Sequence, residues 1–573
     1  VLAAVALSGG QPDSQQNVHP AVFDWVTENP GEPVPVLLLH TDDAEAVAQA
    51  VTAAGGQVAR RFDMISTIEA ELPAGSIASL AAHPAVVRVT LDAPVVSTDT
   101  NDGSTSAPAS TYPFSIGAHE AWSAGFTGRG VAIAVVDTGV SPSGHEDFNA
   151  PSGNSRVIAE VVVNSNTSNV TDGFGHGTHI AGIAGGDGSL MDGKWVGVAP
   201  EVNLVNVKIS ADDGSATLSD LIAGLEWVYN NKDRYNIRVV NLSLHSAVPE
   251  SYRSSPLDAA VEFLWFNNIF VVVAAGNLGS ATDAVFYPPA NDPFVMTVGA
   301  IDDKNTTNFD DDQLAEWSSR GTTQDGFPKP ELTVPGRNIV SVIDTNSILY
   351  RDYPDRRVDD KYFRLSGTSM AAGVMSGAAA IVLQAHPGWT PGQVKCSLMA
   401  SARSVSGSSA GVPRLGLVIA MDKPACNSDD GLLQNAGFGP LLKIGAIAWV
   451  LGEPNPKNAG NSVGIDIEKA AGKNAKLSNV DWSAISWDAV KWASVKWDAI
   501  KWDAIKWDAI KWSAIKWSNV TPEGVNFSAV KWSAIKWSAI KWDAIKWSGI
   551  TWDAIKWDAI KWDAIKWDFL SEP

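Results

Sequence analysis

The chain has 573 residues, too many for one ordinary domain and enough for two to four at roughly 100–200 residues each. Lys and Arg number 42 against 63 Asp and Glu, a formal net charge of −21, which excludes a nucleic-acid or anionic-membrane binder working through a basic surface. A hydrophobic content of 45% supplies a sizeable core, and two cysteines exclude a disulfide-stapled scaffold or a Cys-rich zinc module.

In chain order, residues 1–32 read as a leader. Its first eight (VLAAVALS) resemble the tail of a secretory signal, and a frayed apolar terminus fits them equally. Residues 33–95 read as a compact unit. Val34–Leu39 is an apolar run of strand type, and Thr41-Asp42-Asp43 caps a helix stopped by Gly55-Gly56. Two strands follow in Gln57–Leu72, then a short helix over Gly75–Ala82 and a last strand at Val86–Leu91. This order predicts a small α+β split-βαβ domain. Residues 96–111, rich in Ser, Thr, Asp and Pro, read as an exposed linker.

From Tyr112 to Cys426, short apolar runs alternate with helical patterns: Val131–Val136, Asn203–Val207, Val239–Leu244 and Phe270–Ala275. That alternation predicts an α/β domain, a mostly parallel twisted sheet with helices on both faces. Residues 427–478 read as a linker, and Cys396 and Cys426 either pair or remain thiols. The composition holds one outlier, 24 Trp against 8 Tyr and 17 Phe. Sixteen of those Trp fall between Trp482 and Trp567 in a Lys-Trp-Asp-Ala-Ile repeat of period five. Five residues advance a helix by 500°, so successive Trp would differ by ~140° and share no face. An odd period also alternates between the faces of a strand. A four-sided β-solenoid turning every five residues fits the period; so does a biased tail that orders only against a partner. Trp at this density calls for burial or a surface target, and a cell-envelope polymer is the expected one.

Three segments carry chemistry. Asp137 ends the apolar run Val131–Val136, and ligand sites in open α/β sheets lie at that end of a strand. His176, within His176-Gly177-Thr178-His179, opens a small-residue helix, and Ser369, within Ser366-Gly367-Thr368-Ser369-Met370-Ala371, opens another. Singly they read as a turn, a capping or metal residue, and an N-cap. Together they stand in the order Asp…His…Ser, the order the subtilisin triad follows.

On these residues the chain resembles the subtilisin-like serine peptidases. The resemblance extends over Tyr112–Ala402 through Gly197-Val198-Ala199-Pro200, Asn241-Leu242-Ser243-Leu244, Ala274-Ala275-Gly276-Asn277 and Ser318-Ser319-Arg320-Gly321. It implies Ser369 as nucleophile, His176 as base and Asp137 as its orienting partner, with Asn277 and the Ser369 N–H as oxyanion donors. His179 is then structural. Ser243-Leu244-His245 and Ala274-Ala275-Gly276 would flank a peptide substrate. Residues 33–95 resemble the family's inhibitory propeptide, so the chain's own N-terminal unit is an expected partner beside peptide substrates. The resemblance also implies an exported enzyme, secreted or held at the cell envelope. Catalysis needs no cofactor; structural Ca²⁺ occurs in many relatives, and Asp147 resembles one ligand position, though a solvated carboxylate is the favoured reading there. Two departures stand out: His245 and Gly373 replace the family's Gly and Pro. His245 is expected to narrow or polarise a subsite, and Gly373 to soften a helix start.

Overall fold

The computed structural model describes residues 17–435, apart from 42, 63, 98, 101–109, 142–145 and 433, together with 447–450 and 463–466. The pentad repeat and its solenoid reading lie outside these residues.

The N-terminal module contains the expected element order. Strands β1 (Val34–His40), β2 (Gln57–Phe62), β3 (Thr67–Leu72) and β4 (Val86–Leu91) form an antiparallel sheet in the order β2-β3-β1-β4. Helix α2 (Ala44–Ala53) starts where the Asp43 carboxylate accepts the Ala46 N–H, and it buries Val47, Ala48 and Val51 on the sheet. Helix α3 (Ile77–Ala81) buries Ile77 and Leu80 in the same way. The expected leader needs correction. Helix α1 (Pro20–Glu28) belongs to this module: Val18 bridges to Val89, and Val22 is fully buried. Pro20 at the first helical position and His19 as its cap are start signals that the reading of 1–32 passed over.

The larger domain is built on a twisted sheet of strands β7 (Ala132–Asp137), β8 (Val157–Val162), β9 (Asn203–Lys208), β11 (Ile237–Leu242), β13 (Phe270–Ala274) and β14 (Met296–Asp302). They run parallel in the order β14-β13-β11-β7-β9-β8; Leu332–Pro335 adds a further parallel strand beside β14, and Gln313–Leu314 an antiparallel one. Residues 132–136 have no exposed surface, because helices cover both faces. From β7 the chain goes to the edge strand β8, returns inward to β9, then crosses to the other side of β7 and runs outward through β11, β13 and β14. The crevice at the C-terminal end of β7 is therefore a topological switch point. Asp137 is the last residue of that strand.

The Thr368–Ala385 helix crosses this core. It is long and apolar enough by composition to span a membrane, but 89% of it is buried within the fold. It packs on the His176–Gly185 helix, and Gly373 stands at the crossing. A Cβ there would lie 3.1 Å from Ile183 Cγ2, so glycine permits the close approach and does not merely soften the helix start. Cys396 and Cys426 form a disulfide, with their Cα atoms 5.6 Å apart. The domain also runs beyond the expected end at 426. Asn435 is buried, and its backbone N–H donates to both Glu262 carboxylate oxygens, at 3.0 and 2.9 Å. In the stretch read as a linker, Ile447–Val450 and Val463–Asp466 pair as an antiparallel hairpin.

Candidate active site

Strand β7 delivers the Asp137 carboxylate to the switch point, where it is 3% exposed. Its Oδ1 accepts the Thr138 N–H at 2.7 Å and the His176 Nδ1–H at 2.7 Å. That contact fixes the imidazole with its proton on Nδ1, which turns Nε2 away as the basic nitrogen. The helix bearing His176 can come this close because residue 177 is glycine: a Cβ there would stand 2.1 Å from the Gly139 carbonyl oxygen.

Ser369 is the second residue of the Thr368–Ala385 helix and is fully buried. Its Oγ donates to the Ser243 carbonyl at 3.1 Å, and the Ser243 hydroxyl donates back to the Ser369 carbonyl at 3.0 Å. Asn241 Nδ2 donates to Ser243 Oγ at 2.9 Å, and Ser376 Oγ donates to Asn241 Oδ1 at 2.9 Å, so strand β11 and the helix are locked together behind the serine. The Thr368 N–H and hydroxyl both donate to Asn277 Oδ1 at 3.1 Å. The carboxamide oxygen is thereby held, and its NH₂ end is presented on the opposite side. Asn241, Ser376 and Thr368 escaped the assignment of roles because their work is done through contacts 91 to 135 residues apart. His179 points elsewhere: it is fully buried and its Nε2 meets the Phe363 carbonyl at 3.0 Å.

The first residues of the stretch expected to be an exposed linker are paired into the cleft. Strand β5 (Pro94–Ser97) lies between β10 (Ala216–Thr217) and β12 (Leu244–Ser246), antiparallel to both, with Val96 opposite His245 and Ser97 opposite Leu244. Strand β6 (Asp99–Thr100) pairs with Tyr362–Gly367, setting Thr100 opposite Ser366 and Asp99 opposite Gly367. The main chain thus enters along the Ser243 side and leaves along the segment just before Ser369. Of the two flanking segments expected, Leu244 and His245 pair with this stretch. At Ala274–Gly276, the Ala275 N–H donates to the Val298 carbonyl and the Gly276 N–H to Thr368 Oγ1. The second wall is Ala216–Thr217, a two-residue strand too short to give a sequence signal.

His245 sits beside β5, its ring against Tyr287 at 5.2 Å and its Nδ1 2.7 Å from the Ser246 carbonyl. Burial pushes its pKa down, opposed by that carbonyl contact. Asp147 is not the solvated carboxylate expected. It is 1% exposed, and it accepts the Leu190 N–H at 2.8 Å and the Tyr362 hydroxyl at 2.5 Å. Arg156 Nη2 donates to its backbone carbonyl at 2.5 Å. Each carboxylate oxygen thus already accepts a donor, Oδ1 from Leu190 and Oδ2 from Tyr362.

The N-terminal module meets the peptidase through charge and helix-end contacts. Arg88 Nε lies 2.9 Å from the buried Glu250 carboxylate, which also accepts the Thr90 hydroxyl at 3.2 Å. The Asp92 carboxylate accepts the Ser219 N–H at 2.9 Å and hydroxyl at 2.7 Å at the start of the Leu218–Tyr235 helix. Met64 N–H donates to Glu226 at 3.2 Å.

Comparison with known proteins agrees with this architecture. The subtilase family model matches residues 128–439, and the model described as "Putative peptidase inhibitor domain" matches residues 6–92. Serine protease AprX of Bacillus subtilis (strain 168) is 40% identical over 274 residues, covering 47% of this chain and 60% of the relative. Subtilisin E of the same organism is 32% identical over 354 residues, covering 61% of this chain and 78% of the relative. The crystal structure of fervidolysin from Fervidobacterium pennivorans, a keratinolytic enzyme related to subtilisin, superposes with a TM-score of 0.53 at 23% identity, over 69% of this chain and 62% of that one.

Proposed function

Since the chain belongs to the subtilase family of serine peptidases, we propose that it is an exported endopeptidase made as a self-inhibited precursor. The observation that carries this reading is strands β5 and β6, pieces of the chain's own backbone paired with Leu244–Ser246 and with Ser366–Gly367, as an extended substrate would be. In the proposed reaction His176 Nε2 takes the Ser369 hydroxyl proton as Oγ attacks a peptide carbonyl. Asp137 stabilises the imidazolium. The oxyanion is bound by the Asn277 amide and the Ser369 N–H. His176 returns the proton to the leaving amine, leaving an acyl ester on Ser369. A water molecule then attacks the ester, giving its proton to the same nitrogen, and collapse frees the carboxylic acid and restores the serine. Substrates pair with β10 and β12 through their backbones, a mode that tolerates many side chains.

The register narrows the processing site. Ser97 stands opposite Leu244 on one side of Ser369 and Asp99 opposite Gly367 on the other, so the cut falls between Ser97 and Asp99. N-terminal sequencing of the mature enzyme should read from Thr98 or Asp99, and the Ser369→Ala chain should remain uncut. A mature terminus elsewhere, or a Ser369→Ala chain that matures in pure form, overturns self-processing. Export accords with the Cys396–Cys426 disulfide, which persists in an oxidising compartment. The Trp pentad tail would hold the enzyme at an envelope surface. Unchanged envelope association after deletion of 479–573 would remove that role. Catalysis itself needs no cofactor, so a chelator should leave kcat unaltered.

A further inference from the structure

Asp172 was not singled out by any sequence motif, yet no part of it is exposed and its carboxylate reaches both catalytic loops. Oδ1 accepts the Gly175 N–H at 2.7 Å and the Thr138 hydroxyl at 2.8 Å. Oδ2 accepts the Thr178 N–H at 2.7 Å. The Thr138 hydroxyl in turn accepts the Gly177 N–H at 2.9 Å. The peptide N–H groups on either side of His176 are therefore held, one by Asp172 directly and one by Thr138, the neighbour of Asp137. Two further bonds close the loop: Asp172 N–H to Ser141 Oγ at 2.9 Å, and Ser141 N–H to Thr178 Oγ1 at 3.1 Å.

We propose that Asp172 is the positioning residue of the catalytic pair, clamping the strand-end loop of Asp137 to the helix start of His176 so that their contact is preset. The physical case rests on what the alternatives would cost. The first N–H groups of a helix have no partner within it, and here they are buried, so an unmet one is expensive. Asp172 meets two of them with one carboxylate and uses its remaining capacity on Thr138. Burial raises its pKa, and the Thr178 and Gly175 N–H groups oppose that rise by favouring the ionised form. The Gly175 and Thr178 N–H groups and the Thr138 hydroxyl all donate to the carboxylate, which is the environment of an acceptor, not of a proton donor. The Asp172 side chain touches neither Ser369 nor His176's ring in these contacts; its effect passes through backbone geometry.

The inference rests on the serine-peptidase reading, and the test separates the two. Asp172→Asn keeps the shape but turns an NH₂ toward groups that donate. Thr138→Val removes the bridging hydroxyl, and Thr138→Ser keeps it. Each full-length chain is allowed to process, and active sites are counted by fluorophosphonate labelling of Ser369. Per labelled site, Asp172→Asn and Thr138→Val should lower kcat roughly tenfold to a hundredfold, the scale of a small misplacement of catalytic groups, with KM within about twofold. Self-processing at the same junction should slow in parallel. The acidic limb of kcat/KM should move to lower pH, because a loosened Asp137 stabilises the imidazolium less. Thr138→Ser should restore the normal values. If wild-type Ser369 takes no label, the peptidase reading fails. If wild type labels and Asp172→Asn matches it in kcat per site and pH profile, losing only thermal stability, the positioning role is overturned.

Discussion

The loops that carry Asp137 and His176 are joined by buried side chains, whereas the strand in the cleft is held by backbone pairing and by charges at its margin. Asp172, Thr138 and Thr178 bond one another's loops at 2.7–2.9 Å in the dry interior. The N-terminal module relies instead on Arg88–Glu250, on Asp92 at a helix start, and on a four-residue strand in which Val96 stays 40% exposed. The contrast teaches a division of labour. A catalytic pair gains from bonds that never exchange with water, while an inhibitor that must leave is held by many replaceable contacts.

That division can be broken from the catalytic side first. Asn277→Ala should lower kcat by ~10²–10³, the loss seen when an equivalent oxyanion donor is removed from subtilisin, with KM little changed. A steady-state assay on the processed enzyme checks this, and an equal rise in KM would place Asn277 in ground-state binding. The next largest effect lies in the cleft. Val95 is buried between β10 and β12. Burying a valine is worth about 1.5–3 kcal/mol, so Val95→Asp should weaken self-inhibition by at least about tenfold. The lag before soluble-peptide cleavage begins should shorten accordingly; an unchanged lag would mean that the strand contributes no affinity. Arg88→Ala comes third. It leaves the Glu250 carboxylate, 4% exposed, with the Thr90 hydroxyl but without its cation, and should cost the inhibited state about 1–3 kcal/mol. Pairing it with Glu250→Gln should recover part of the loss, since the uncompensated charge is then gone.

What the sequence disclosed follows from range. Asp137, His176 and Ser369 were legible because each sits in a short run with a local conformational demand: a strand end, or a helix start flanked by glycine. The four-stranded module was legible because β1 and β4 are apolar runs bounded by Gly, Pro and Asp. The cleft occupancy of Pro94–Ser97 was not, since Ser, Thr, Asp and Pro spell an exposed linker until β10 and β12 supply partners 120 to 150 residues away. Asp172 lay hidden for the same reason. A lone aspartate before Gly-Phe-Gly reads as a turn, and its role exists only through Thr138, 34 residues earlier. Helix α1 was missed because the apolar first residues suggested a leader and drew attention from the Pro20 start signal.

The smallest predicted effect concerns pH, and here the module's titratable groups pull in opposite directions, since burial raises the Glu69 and Asp92 carboxyls and lowers the His19 imidazole. Burial pushes the Glu69 carboxyl up to about 7; Arg60 opposes this, while Asp92 and Asp220 add to it. Burial lowers the His19 imidazole, with Glu250 opposing and Arg88 assisting. On release of the module both groups regain water and move back toward ordinary values. A carboxyl raised in the complex stabilises it fully below its free pKa, near 4.5, and that contribution is lost as pH rises through about 7. An imidazole lowered in the complex contributes above its free pKa, near 6.5, and that contribution is lost as pH falls. The two contributions therefore change over the same range below about pH 7, in opposite directions, and partly offset; above about 7 neither changes further. Activation lags measured between about pH 5 and 9 should vary by no more than a few-fold and flatten above neutrality. Glu69→Gln, which cannot ionise, should diminish the loss of inhibition on raising the pH toward 7 and expose the His19 response, a lag that shortens as pH falls. His19→Gln should leave the carboxyl response, a lag that shortens as pH rises toward 7. A pH profile unchanged in both variants would assign the response to the peptidase rather than to its inhibitor.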